Sequence, residues 1–142
     1  MYAVGIDGCS NGWIATFSKP FKFQKSVSLY EENLENLMKK LPKSKFSIID
    51  MPIGLEKSKH IRACDIAARE FIGPRRHSIF APPCKKASSQ KNYESANRIN
   101  KEITGHGLSK QTWMINEKIK ETQKIIDKGF ELKEGHPECS FR

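Results

Sequence analysis

Residues 2–13 read Tyr2-Ala3-Val4-Gly5-Ile6-Asp7-Gly8-Cys9-Ser10-Asn11-Gly12-Trp13. Tyr2, Val4 and Ile6 alternate with Ala3, Gly5 and Asp7. That is the period of a half-buried strand, with Asp7 at its polar end on the small-residue face. Gly8 to Gly12 is turn chemistry. Residues 13–17 then read as a second strand and 23–29 as a third, and short turns joining three strands predict an antiparallel meander. Leu34, Leu37, Met38 and Leu41 fall on one helical stripe that Pro42 ends. Residues 45–51 form a short apolar run closed by Pro52, a fourth strand with Asp50 near its C-terminal end. The crossover before it returns the chain beside an earlier strand, which gives a mixed sheet with helices on its faces.

Downstream, the spacing predicts a helix over 61–72 that buries Ile61, Cys64, Ala68, Phe71 and Ile72, stopped by Gly73-Pro74. Residues 74–90 read as a loop rich in Pro, Ser and basic side chains. A helix over 93–104 has Gly105 as its C′ residue. Ser109 can cap one long helix to about residue 127, with Ile115, Ile119 and Ile126 as its buried stripe. Residues 130–134 look like a fifth strand. With no internal repeat and no linker, the expectation is a single domain over 1–142.

The composition narrows the function classes. The 142 residues carry 25 Lys plus Arg against 16 Asp plus Glu, a formal net charge of +9 that favours an anionic partner. No stretch approaches the roughly 20 apolar residues of a membrane span, and the start lacks the pattern of a signal peptide. Cys9, Cys64, Cys84 and Cys139 form no C-x-x-C pair, which argues against a zinc ribbon and suits free thiols in a reducing cytoplasm. The histidines at 60, 77, 106 and 136 are scattered, with none at i, i+4.

Asp7 and Asp50 each end an apolar strand. If those strands are parallel neighbours, the two carboxylates meet at one edge of the sheet, where a cation must neutralise them. Mg²⁺, or Mn²⁺, suits such a site, because it takes oxygen ligands and needs only one or two carboxylates plus substrate phosphate. Glu134, His136 and Glu138 repeat with period two around the stiff Pro137. An extended backbone puts them on one face and offers a metal ligand or a general base near neutral pH. Arg75, Arg76, Lys85 and Lys86 in the basic loop supply groups that hold phosphate. Phosphate-loop, dinucleotide-binding and serine-nucleophile motifs are all absent from the sequence.

The same residues resemble a known family. Gly5-Ile6-Asp7-Gly8-Cys9 with Gly12-Trp13 resembles the opening of the predicted nuclease family known only as domain of unknown function 429. So do Ile49-Asp50-Met51-Pro52-Ile53-Gly54, Arg62-Ala63-Cys64-Asp65 with Arg75-Arg76, and Gly107-Leu108-Ser109 with Trp113. Glu134-Gly135-His136-Pro137-Glu138 closes the match. The resemblance implies an α/β, ribonuclease H-like fold, a mixed five-stranded sheet flanked by helices. It also implies that Asp7, Asp50 and Glu138 hold metal, with Glu134 and His136 in support, and that Lys118 and Glu121 form a structural pair. Two departures accompany it. Gln123 stands where an Asp is usual, and members of that family continue into C-terminal helices beyond the H-P-E motif, so the domain is expected to be incomplete at its C-terminus.

The expected function is therefore metal-dependent hydrolysis of nucleic-acid phosphodiester bonds. The rival readings are a non-catalytic nucleic-acid-binding module or decayed fragment, and a phosphotransferase of the actin and sugar-kinase type, for which the chain is short.

Overall fold

The computed structural model describes residues 1–57 and 61–141. His60, one of the four scattered histidines, and Arg142 lie outside the described residues. The chain forms two compact units, Met1–Ile53 with Glu121–Pro137, and Gly54–Lys120 with the residues from Glu138 on.

The first unit contains the sheet. Strands β1 (Tyr2–Cys9), β2 (Gly12–Ser18) and β3 (Val27–Glu31) form the expected antiparallel meander. The third strand starts later than its sequence suggests, because a 3-10 turn occupies Phe23–Lys25. Gly12 is required at the first turn, since a Cβ there would run into the Glu31 carbonyl. Helix α1 (Leu34–Lys40) follows, started by the Asn33 side chain accepting the Asn36 N–H. Strand β4 (Ser44–Ile49) then pairs parallel with β1, with Ile6 opposite Ile49. Strand β5 (Lys133–Glu134) pairs parallel with β4, giving the order β3-β2-β1-β4-β5. This mixed α/β architecture with a five-stranded mixed sheet fits a ribonuclease H-like arrangement.

Strand alternation sorts the side chains. Val4, Ile6, Trp13, Ala15 and Ile49 are buried, as are Leu34 and Leu37 of α1. On the opposite face Ile14, Tyr30, Phe46 and Ile48 are 41%, 50%, 46% and 44% exposed. One carboxylate organises the covered side. Glu121 accepts the Trp13 indole N–H at 2.8 Å and the first N–H of α1, from Leu34, at 2.5 Å. It thereby satisfies a helix-start donor that has no intrahelical partner. Glu121→Gln keeps only one acceptor oxygen for these two donors. It is expected to lower unfolding stability by about 1–3 kcal/mol, the cost of one orphaned buried group. Urea denaturation followed by tryptophan fluorescence checks this, and an unchanged midpoint would rule it out. On the surface, Glu35 is held down to about 2 by its bonds to Lys128 and Lys39.

The second unit is helical. It holds α2 (Ala63–Ile72), a 3-10 segment (Gly73–Ser78), α3 (Lys85–Ser88), α4 (Tyr93–Thr104), α5 (Lys110–Met114), the start of α6 (Asn116–Asp127) and α7 (Pro137–Ser140), whose Pro137 falls in the first unit. Three sequence expectations are corrected here. Of the apolar side expected for α2, Ile72 is buried and Ala68 partly so, but Cys64 is exposed. Ile61 and Phe71 are 44% and 53% exposed, whereas Arg62 and Asp65 are buried as an ion pair. The loop at 74–90 contains two short helical turns. The long helix from Ser109 is broken at Ile115, and the buried stripe beyond is Asn116, Ile119, Thr122 and Ile125. Asn116 is responsible for this pattern. Its amide is 1% exposed and bonds both the Ser88 hydroxyl and the Ser88 carbonyl, a polar anchor that hydrophobic periodicity does not register. Gly105 takes the left-handed conformation after α4, as expected of a C′ glycine. No helix among the described residues is long and apolar enough to cross a membrane.

A candidate carboxylate site at the sheet edge

The parallel pairing of β1 and β4 decides where the acids go. Side chains alternate along a strand, so Asp7 follows Ile6 and Asp50 follows Ile49 onto the same side at the same sheet edge. The Asp50 N–H donates to the Ile6 carbonyl at 3.0 Å and carries the ladder one residue beyond β4. On the other flank the Gly135 N–H donates to the Ile49 carbonyl at 3.0 Å, which extends β5 in the same way. Asp50 therefore lies between the ends of two neighbouring strands. A Cβ at Gly135 would run into the Ile48 side chain, so glycine lets this segment lie close against β4.

Glu134 is fixed from the turn after β4. Its Oε2 accepts the Ile53 N–H at 2.8 Å. The segment Ile49-Asp50-Met51-Pro52-Ile53-Gly54 thus supplies an acid and also an amide that orients a second acid. Sequence reasoning missed the role of Ile53. The signal was available in Pro52, which ends the strand and bends the chain back towards the sheet.

The electrostatics follow from this crowding. Asp50 is half-buried, and its carboxyl is pushed above the ordinary value of 3.8, first by burial and then by the charge of Asp7. Glu134 pushes it the same way and His136 opposes them. Asp7 and Glu134 are themselves exposed. The first unit therefore brings together four of the five expected catalytic residues: Asp7, Asp50, Glu134 and His136. Such a group could hold a divalent cation through oxygen ligands, since a positive charge would offset the burial and the repulsion that raise the Asp50 carboxyl.

Glu138 belongs to the second unit. It lies in the first turn of α7, and its Oε2 is 3.9 Å from Arg75 Nη1. Arg75 and Arg76 lie on the 3-10 segment, and Lys85 and Lys86 begin α3. All four side chains are exposed.

Residues 5–142 match a family described as "Protein of unknown function (DUF429)". No curated protein and no solved structure matches the chain.

Proposed function

We propose, on the premise that the chain belongs to the DUF429 family, that it is a divalent-metal-dependent nuclease of ribonuclease H-like type. The observation that carries this reading is the half-buried Asp50 at the end of β4, crowded by Asp7 and Glu134. Asp7 and Asp50 would hold Mg²⁺ or Mn²⁺ through oxygen ligands, with Glu134 in support. The bound ion would lower the pKa of an attacking water and offset charge on the phosphate. Glu134, held by the Ile53 amide, keeps its carboxylate at the sheet edge. His136 offers an imidazole that would order the water or protonate the leaving oxygen. Exposed Arg75, Arg76, Lys85 and Lys86 would grip the phosphate backbone.

Labelled single- and double-stranded RNA and DNA, incubated with Mg²⁺, Mn²⁺ or EDTA, test the proposal. Cleavage is expected with either metal and not in EDTA, and Asp7→Asn is expected to abolish it. Failure of the wild type to cut any of the four substrates would remove the nuclease reading. The net charge of +9 and the exposed basic side chains favour the second reading, a non-catalytic nucleic-acid-binding module. That reading predicts binding without cleavage. In either case binding should weaken steeply with salt as counterions are released. Arg75→Ala with Arg76→Ala should flatten the salt slope, which filter binding between low and moderate ionic strength would measure. A slope identical to wild type would remove these arginines from the interface.

A further inference from the structure

The second unit contains an open pocket of about 360 Å³. Arg69, Arg76, His77, Phe80, Ser109 and Thr112 contribute to its lining, and no acidic residue does. We propose that this pocket binds a phosphate monoester carrying a flat or apolar group, for which a nucleoside 5′-monophosphate is the probe. Its lining residues all belong to the second unit, and binding there needs no metal.

Charge is the first argument. Two guanidiniums and an imidazole converge on one concavity without a carboxylate among them. Arg69 is held in place, since its Nε and Nη2 both donate to the Ile79 carbonyl, at 3.4 and 3.0 Å. Arginine has five N–H donors, so Arg69 keeps others for a ligand, already oriented by that clamp. Arg76 and His77 are exposed on the 3-10 segment. Forked, charge-assisted hydrogen bonds of this kind suit a doubly charged phosphate.

The walls provide the second argument. Ile79, Phe80 and Ala81 give the pocket an apolar strip, with the Phe80 ring 50% exposed. An exposed ring beside cationic groups is a stacking surface for a base. Thr112 adjoins this strip, its hydroxyl donating to the Ala81 carbonyl at 3.5 Å and lying 2.8 Å from the Ser109 hydroxyl. Gly107 comes from a turn that is pinned before any ligand arrives. The Leu108 N–H donates to Asn97 Oδ1 at 2.8 Å, Tyr93 donates to the Leu108 carbonyl at 2.9 Å, and Asn100 donates to the His106 carbonyl at 2.9 Å. A wall fixed in advance spares a ligand the cost of ordering it. The volume lies at the lower end of the roughly 300–1,000 Å³ typical of small-molecule clefts, so the pocket suits one nucleotide rather than two.

Calorimetric titration in EDTA tests this with adenosine 5′-monophosphate, adenosine, inorganic phosphate, and one oligonucleotide bearing either a 5′-phosphate or a 5′-hydroxyl. The monophosphate should bind more tightly than either adenosine or inorganic phosphate. Arg76→Ala should weaken it about tenfold or more, the scale of a lost hydrogen bond to a charged group. Lys124→Ala, an equal loss of charge at an exposed position of α6, should leave it unchanged. Asp7→Asn with Asp50→Asn should also bind normally, which keeps this site distinguishable from the nuclease reading. The 5′-phosphorylated oligonucleotide outcompeting the free monophosphate would identify a nucleic-acid end as the source. The reverse order would identify a free nucleotide. Absence of monophosphate binding, equal binding of adenosine, equal binding of inorganic phosphate, or equal loss in Arg76→Ala and Lys124→Ala would each overturn the proposal.

Discussion

Asp50→Asn is expected to make the protein more heat-stable at pH 7 in EDTA, while cutting metal-dependent cleavage by about 10²–10³-fold, the scale of one electrostatic stabiliser. The stability gain follows from the raised carboxyl of Asp50, caused first by burial and then by Asp7. A carboxyl whose pKa is higher in the folded state binds more protons folded than unfolded. Stability therefore falls as pH rises from the unfolded value, 3.8, through the raised folded value. Asparagine carries no charge to be penalised. The variant's advantage should be absent below 3.8 and complete above the folded value. Added Mg²⁺ should raise the melting temperature of the wild type and leave that of Asp50→Asn nearly unmoved, because a ligand stabilises only the state that binds it. Thermal melts from pH 3 to 8, with Mg²⁺ or EDTA, read all of this. A variant less stable than wild type at pH 7 in EDTA would contradict the electrostatic account.

Asp65→Ala is expected to cause the largest loss of stability. Arg62 donates from Nε to Asp65 Oδ2 at 3.0 Å and from Nη2 to Oδ1 at 2.5 Å, and the two side chains are 7% and 5% exposed. Removing the carboxylate leaves a guanidinium buried without its bidentate partner, at a cost of about 3–5 kcal/mol. That is a large part of the roughly 5–15 kcal/mol that holds a domain folded. Replacing both residues with apolar ones of similar volume, Arg62→Met with Asp65→Leu, should be far less damaging, since no lone charge remains. Urea unfolding of the single and double variants measures the coupling. Equal losses in the two variants would mean that the pair acts through shape alone.

This ion pair also shows where sequence reading stopped. The meander, the crossover and the parallel return of β4 were legible, because Val4, Ile6 and the run to Ile49 carry a strand period and Gly12 and Pro52 punctuate it. From these the meeting of Asp7 and Asp50 at one edge follows, since register places residues 6 and 49 side by side. The faces of α2 and α6 were misread, because period-counting takes burial to be apolar. Arg62, Asp65 and Asn116 are buried through partners whose identity depends on tertiary placement. The pocket residues were equally hidden, since Arg69, His77, Ser109 and Thr112 share no spacing and are gathered by turns at Gly73 and residues 105–108. Of the basic loop, Arg76 and His77 line that pocket.

The ladder between β4 and β5 has a consequence for the order in which the protein is made. It consists of two residue pairs, Ile48 with Lys133 and Ile49 with Glu134. Asp7 and Asp50 can be set beside one another once the β1–β4 pairing closes its modest loop. Glu134 and His136 join them only after the intervening helices have been synthesised, through a much longer closure and a short zipper. A nascent chain on the ribosome thus carries an incomplete acidic cluster until residue 134 has emerged. Assembly of the proposed nuclease centre would then be timed by translation itself.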